Sequence, residues 1–452
     1  MKWGALVAAL AAIGPLTGWL RRNPDQASRI WVLVGFLPFA TGPFHLYMAV
    51  ISWAGWPGYV QGAELSLLDL IVFSLYLTLP RSASPLPFRM PMAFYLIAVL
   101  MSALWADVPV ATLFYAVQLV RMGLLYAVVA RACTDERVAS ALLTGMGAGL
   151  FMEAAIAAWE RFGLGILQAS GSFGHQNLLG LVSHFVTFPV FSLYLAGSSG
   201  WLPALVPLAG VLIAVLTTSR GTLGGAAAGY ALVFTLSALR RWDSRKTKVA
   251  LLGTLVVACA VPVAVTSFEK RFGDPALLAG YDERAAFLAA ASMILADHPM
   301  GVGANTYVVV ANTGGYNERA GVAWSSGNST NVHNVYVLMA AETGYIGLVT
   351  FVILLSRPLL VAFMCGWRNR KDPRGDLLIG LGASMLIVYL QSFFEWIFVT
   401  FPVQYVFAIA MGMTAGLAQK LGYWSPARRA LNSQRPRQVV SQSRDYVIRG
   451  PS

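Results

Sequence analysis

The sequence predicts an all-α polytopic membrane protein, and three observations carry that prediction. Of the 452 residues 57% are hydrophobic and only 12% are charged, about half the charged share of an ordinary soluble domain. Hydrophobic stretches of about 17–25 residues, the length that crosses a bilayer, recur along the whole chain. Lys and Arg gather in nearly every second connection, the pattern that marks cytoplasmic loops.

The apolar runs fall at residues 3–20, 30–53, 65–80, 90–105, 110–130, 138–159, 178–196, 201–218, 222–239 and 249–266. Three more follow at 334–355, 377–396 and 404–417, so about twelve or thirteen helices are expected. Basic residues follow the odd-numbered runs: Arg21, Arg22 and Arg29, then Arg81 and Arg89, then Arg131 and Arg137, then Arg240 to Lys248. Arg368, Arg370, Lys371 and Arg374 follow the eleventh run, and a basic tail from Lys420 follows the last. The connections at 55–64, Asp107, 160–176, 219–221, 268–333 and 399–403 are poor in positive charge or long, which assigns them to the outer side. The uncharged turn 197–200 is assigned to the cytoplasmic side by counting alone. Cleavage of the first run as a signal peptide would leave Arg21 and Arg22 outside, against the charge rule, so an uncleaved helix is expected.

This divides the chain into N-terminal helices (1–101), a central bundle (102–267), a long outer loop containing an amphipathic helix (268–333), C-terminal helices (334–419) and a basic, disordered tail (420–452). The net charge of +12 follows from the cytoplasmic loops and the tail, so nucleic-acid binding is not expected. Cys133, Cys259 and Cys365 lie far apart with no metal-ligand spacing, and no disulfide or metal site is expected. Walker A, HExxH and Asp-x-Asp patterns are absent from the sequence, which argues against a nucleotide-driven pump or a metal-dependent transferase.

The loop 268–333 is the one long polar interruption, and the residues able to do chemistry collect at its side. Arg220 opens the ninth run from outside, where it is either an interfacial anchor or an anion ligand. The glycines behind it, with Gly225 and Gly229 at small-xxx-small spacing, point to close helix packing. Arg284 is expected in the first turn of a surface helix over 283–296, with Asp282 as N-cap and Phe287, Ile294 and Leu295 on its apolar face, ended by Pro299 and Gly301-Val-Gly303. A guanidinium beside a positive helix N-terminus suits phosphate, and a lipid headgroup fits the same corner. His333 closes the loop as either a structural hydrogen-bonding residue or a general base near neutral pH. Glu342, nine residues on, lies ~13 Å deeper on the opposite face, so it is expected to bond inside the bundle beside Gly344 and Gly347 instead. His175, Gln176 and Asn177 open the seventh run, where they either line a cavity, cap the helix through Asn177 or are simply solvated. In mid-helix, Arg121 needs a partner, for which Glu153 is the expected carboxylate; Asp69 and Glu395 lie nearer the outer half.

Taken together, Thr218-Ser-Arg220-Gly221, the Arg284 helix leading to His298-Pro-Met-Gly301-Val-Gly303-Ala-Asn305, and His333-Asn-Val-Tyr-Val-Leu-Met-Ala-Ala-Glu342-Thr-Gly344-Tyr-Ile-Gly347 resemble the O-antigen ligase/polymerase superfamily of bacterial membrane glycosyltransferases. Ser102-Ala-Leu-Trp-Ala-Asp107 and Ser172-Phe-Gly-His-Gln-Asn177 resemble it too. The resemblance implies a GT-C-type bundle in the bacterial inner membrane, active at its periplasmic face without metal or other cofactor. It implies transfer of glycan from undecaprenyl diphosphate to lipid A-core in a ligase, to a second lipid-linked glycan in a polymerase, or to a protein hydroxyl in an oligosaccharyltransferase. The family's functional residues fall on Arg220, Arg284 and His333, with Gln176 and Asn177 as further substrate-binding candidates. A transporter of lipid-linked glycan is the alternative from another class; it predicts internal repeats, which the sequence does not show.

Overall fold

In the computed structural model residues 2–80, 85–254, 275–324 and 330–424 are described. The chain is an all-α polytopic membrane protein. Among the described residues, seven helices are long and apolar enough to cross a membrane, and three shorter apolar helices accompany them.

The N-terminal part holds α1 (Lys2–Arg22), α2 (Ala27–Ala40), a hairpin of β1 (Tyr47–Ser52) and β2 (Gly62–Ser66), α3 (Leu67–Thr78) and α4 (Arg89–Ser102). The second expected run is therefore corrected: α2 stops at Ala40, and the rest of that run becomes β1, antiparallel to β2 from Tyr47↔Ser66 to Ser52↔Gly62. Thr41-Gly-Pro breaks the helix, and an apolar stretch cannot by itself distinguish strand from helix. Next come α5 (Pro109–Ala132), α6 (Glu136–Ala158), α7 (Gln176–Ala196), α8 (Trp201–Leu216) and α9 (Arg220–Arg240). After them lie α10 (Pro275–Asp297), the short α11 (Tyr307–Thr313) and α12 (Tyr316–Ala320), α13 (Val335–Arg368), α14 (Pro373–Gln391) and α15 (Phe401–Lys420). The tenth run falls largely outside the described residues, as do Cys259 and the tail beyond 424.

Small residues set the packing. α2 lies along α6 through reciprocal glycines, since a methyl on Gly35 would strike the Leu142 carbonyl and one on Gly145 the Val32 carbonyl. Gly225 and Gly229 let α9 approach α7 and α14 as expected, with His184 and the Phe188 ring filling the space their side chains would need. α7 and α15 are the inner helices, with 89% and 94% of their apolar windows buried, whereas 28% of α9 is buried and most of its surface faces outward.

The expected Arg121–Glu153 pair does not form. Arg121 bonds Asp69 through Nε at 2.9 Å and Nη2 at 2.7 Å and also reaches the Tyr405 hydroxyl. Asp69 doubles as the capping-box residue of α3, accepting from the Ser66 backbone at 2.8 Å. Glu153 serves a loop instead, accepting from the Ser172 backbone N–H at 2.9 Å. Long-range pairing of this kind follows from which helices become neighbours, and α5 packs on α3.

The connections assigned to opposite sides do separate to opposite ends. At one end the hairpin loop, the start of α5 and the long loop interlock through Asn305, whose Nδ2 donates to Val60 O and Ala111 O while its Oδ1 accepts from Val60 N. At the other end Arg240 pairs with Asp376, and Arg245 donates at 2.8 Å to both Tyr194 O and Ser198 O. That contact puts the 197–200 turn at the same end of the bundle as the basic loop.

Asp69→Ala should cost about 3–5 kcal/mol, because Arg121 stays buried without its carboxylate. Thermal unfolding in detergent checks this, and adding Arg121→Leu should recover most of the loss.

Candidate functional site

The candidate site is built around Glu395, a buried carboxylate in the turn between α14 and α15. The helix α14 ends at Gln391, and Phe394 N bonding back to Gln391 O at 2.9 Å forms the turn that points the chain inward. A buried carboxylate needs cations or hydrogen-bond donors, and Glu395 draws them from three segments. Asn177 Nδ2 donates to Oε1 at 2.5 Å, Arg284 Nη2 lies 3.6 Å from Oε1, and His333 Nδ1 lies 3.7 Å from Oε2.

Each contributor is held by local structure. Asn334 caps α13, its side chain accepting from Tyr336 N and Val337 N, which fixes His333 immediately before the helix. Val335 N then donates to Ser392 O at 3.0 Å and clamps that helix start onto the Glu395 turn. The Phe287 ring meets the imidazole edge-on, with centroids 6.0 Å apart. Phe287 comes from the same helix as Arg284, three residues on and so on the same face. Its face continues through Ala290, Ala291 and Ile294, all buried against the bundle.

That helix differs from expectation. α10 begins at Pro275, which places Asp282 inside it and Arg284 about two and a half turns from its N-terminus. Asp282 is therefore not an N-cap, and the positive helix end does not stand beside Arg284. The guanidinium instead lies 3.6 Å from Glu395, with its side chain 45% exposed. The expected terminus at Pro299 and the two glycines is present, and it is wedged into α13. Val302 N and Gly303 N donate to Ala341 O and Glu342 O, and Tyr345 N to Pro299 O. Gly344 permits this with φ 68° inside α13, where a side chain would also strike the backbone at Pro299 and Met300. Glu342 bonds inside the bundle as expected, accepting from the Tyr59 hydroxyl at 2.7 Å and from Tyr307 N at 3.0 Å.

On α7, His175 rather than Asn177 is the N-cap, with Nδ1 accepting from Asn177 N at 3.2 Å. The loop before it is pinned by Glu160, which accepts from Ser170 N and Gly171 N at 2.8 Å each. The Asn177 amide is a tie: its Oδ1 accepts from Ser219 Oγ while its Nδ2 serves Glu395. Ser219 is in turn the N-cap of α9, so Arg220, exposed in the first turn, is one residue from a bond that leads through Asn177 to Glu395. Gln176 is not part of this chain of contacts; its amide reaches Gln168 at 3.5 Å.

Residues 204–352 match the family model of the O-antigen ligases. That is the superfamily the motifs resemble, and the matched third of the chain contains Arg220, Arg284 and His333. It supports an enzyme of the glycosyltransferase-like ligase/polymerase kind. No curated protein matches the chain. Two members of the cluster, Asn177 and Glu395, lie outside the residues matched to the O-antigen ligases. In the sequence Glu395 is an acidic residue in an apolar stretch, a signal of buried function without a stated partner.

Electrostatically the cluster mixes one carboxylate with a guanidinium and two imidazoles. Burial pulls His175 below its ordinary value; the Glu395 carboxylate opposes this, and the neighbouring His333 adds to the lowering. Neutral His175 keeps its Nδ1 as an acceptor and so keeps the α7 cap. The folded protein holds this proton less tightly than the unfolded chain, so the stability contribution is complete above the unfolded value of about 6.5 and is lost as pH falls towards the lower folded value. His175→Asn, which caps without titrating, should show a shallower loss of thermal stability between pH 7 and pH 5 than the unsubstituted protein.

Proposed function

We propose that this protein is an inverting, metal-independent glycosyltransferase that moves a glycan from undecaprenyl diphosphate to an acceptor hydroxyl at the periplasmic face of the bacterial inner membrane. The acceptor that fits the matched family description is lipid A-core, which makes the reaction O-antigen ligation. What supports the reading is that one buried carboxylate, Glu395, lies 3.6 Å from the Arg284 guanidinium and 3.7 Å from His333 Nδ1, so that an imidazole and a guanidinium stand side by side.

The division of labour follows from the side chains. Arg284 and Arg220 bind the diphosphate and offset the negative charge that grows on it as it leaves, and guanidiniums keep their protons throughout. His333 takes the proton of the acceptor hydroxyl as that oxygen attacks the anomeric carbon from the side opposite the diphosphate, a single displacement that inverts configuration. Glu395 acts through His333: a carboxylate facing Nδ1 orients the ring, leaves Nε2 towards the acceptor and stabilises the imidazolium that forms. Asn177 binds no substrate on this reading and holds Glu395 and the start of α9 in register.

Incubating purified protein in detergent with undecaprenyl-diphosphate-linked glycan and lipid A-core tests the proposal. Glycosylated lipid A-core should form in the presence of EDTA; a requirement for added divalent cation would remove the metal-independent mechanism. His333→Ala should abolish transfer in a folded protein. Arg220→Ala and Arg284→Ala should each cost more than about tenfold, the equivalent of at least ~1.5 kcal/mol of a charge-assisted contact, and Lys at either position should not restore the rate.

Glu395→Gln keeps the shape and removes the charge. It should lower kcat at least about tenfold with little change in KM for the donor, since the interaction lost is one that strengthens as the imidazolium forms. An equal rise in KM with unchanged kcat would make Glu395 a binding residue only.

A further inference from the structure

At the opposite, basic end a cavity of about 100 Å³ opens between the C-terminal ends of α7 and α9 and the turn from α13 to α14. Five cationic residues, Arg240, Arg241, Lys246, Arg370 and Lys371, line it against a single carboxylate, Asp376. The Arg240 side chain is 2% exposed, and its Nη1 lies 2.8 Å from Asp376 while Nη2 donates to Asn369 O at 3.1 Å. Its Nε, equally buried, finds no hydrogen-bond acceptor among the described residues. Lys246 is already spent on the carbonyls of Ser237 and Arg241. Arg241, Arg370 and Lys371 are exposed around the mouth.

Asp376, with Asp243 3.9 Å from Lys246, does not balance five cations, and a buried guanidinium donor without an acceptor is costly. An oxyanion with several acceptor oxygens relieves both, and guanidiniums favour phosphate in particular. We infer that this cavity binds a phosphate group, supplied either by the headgroup of an anionic lipid or by free phosphate. The site is separate from the proposed diphosphate site. Arg220 and Arg240 are the first and last residues of α9, and 21 helical residues span ~30 Å, about one hydrocarbon thickness. The phosphate therefore binds at the leaflet opposite the Glu395 cluster.

Thermal shift and native mass spectrometry of the full protein in detergent test this, with phosphatidylglycerol, phosphatidylcholine and inorganic phosphate as probes. Phosphatidylglycerol should stabilise the protein and remain bound, and Arg370→Ala/Lys371→Ala, two exposed changes that leave the bundle intact, should weaken its apparent affinity about tenfold or more. Asp376→Asn, which frees Arg240 from its competitor, should tighten it. Stabilisation by phosphatidylglycerol but not by inorganic phosphate identifies a lipid; stabilisation by both identifies the phosphate group itself as sufficient. No response to either anion, equal response to phosphatidylcholine, or an affinity unchanged in the Arg370→Ala/Lys371→Ala variant would overturn the inference.

Discussion

A carboxylate taken out of water must be met by donors, and at Glu395 that requirement ties together parts of the chain that are more than 200 residues apart. The start of α7 reaches it through Asn177, the long loop through Arg284 and the start of α13 through His333. α9 joins indirectly, because the residue that bonds Asn177 is the one that caps it. Replacing Glu395 by an apolar residue would leave a half-exposed guanidinium and an imidazole with no common anchor. The helices would still pack, but the side-chain link between the two basic groups would be lost.

A second knot fixes the same residues from behind. The segment after α10 is wedged into the break at Gly344, and Asn305 stitches it to the hairpin loop and to α5. α10 is thereby anchored at its C-terminal end on α13, the helix whose N-terminal end carries His333. Arg284 and His333 are thus related twice: through Glu395, and through the backbone of α13 and the wedge. A geometry determined by two routes resists small displacements, which is what positioned chemistry requires.

The helices were legible in the sequence because a spanning helix announces itself by length and hydropathy alone, and the two ends of the bundle were legible from Lys and Arg. The glycines of α9 and the inward bonding of Glu342 could also be read, since small-residue spacing and helical rise are local rules. Three features were not. Residues 47–52 are apolar enough to extend a helix, and only their pairing with 62–66 makes them a strand. Asp282 satisfies the N-cap pattern, but helix continues upstream to Pro275. Arg121 chose Asp69 over Glu153 because α3, not α6, presents a carboxylate to it. For the same reason Arg220, Arg284 and His333 could be read from the sequence only as separate candidates: Glu395 is recognisable as the neighbour of the last two only once the segments have met.

On the proposed chemistry the resting contacts of Glu395 have a use beyond architecture. Arg284 lies 3.6 Å away with nearly half its side chain in contact with the surroundings, and a partly solvated pair of that length is weak. A diphosphate, with more charge and more acceptor oxygens, displaces such a partner readily. When the guanidinium turns to the diphosphate, Glu395 loses one of its compensating charges while still buried. The group left to compensate it is His333, whose Nδ1 lies 3.7 Å from the other carboxylate oxygen, once it has taken the acceptor's proton. The carboxylate that stands beside Arg284 in the resting protein would then serve the imidazolium that forms on His333 as the acceptor hydroxyl attacks.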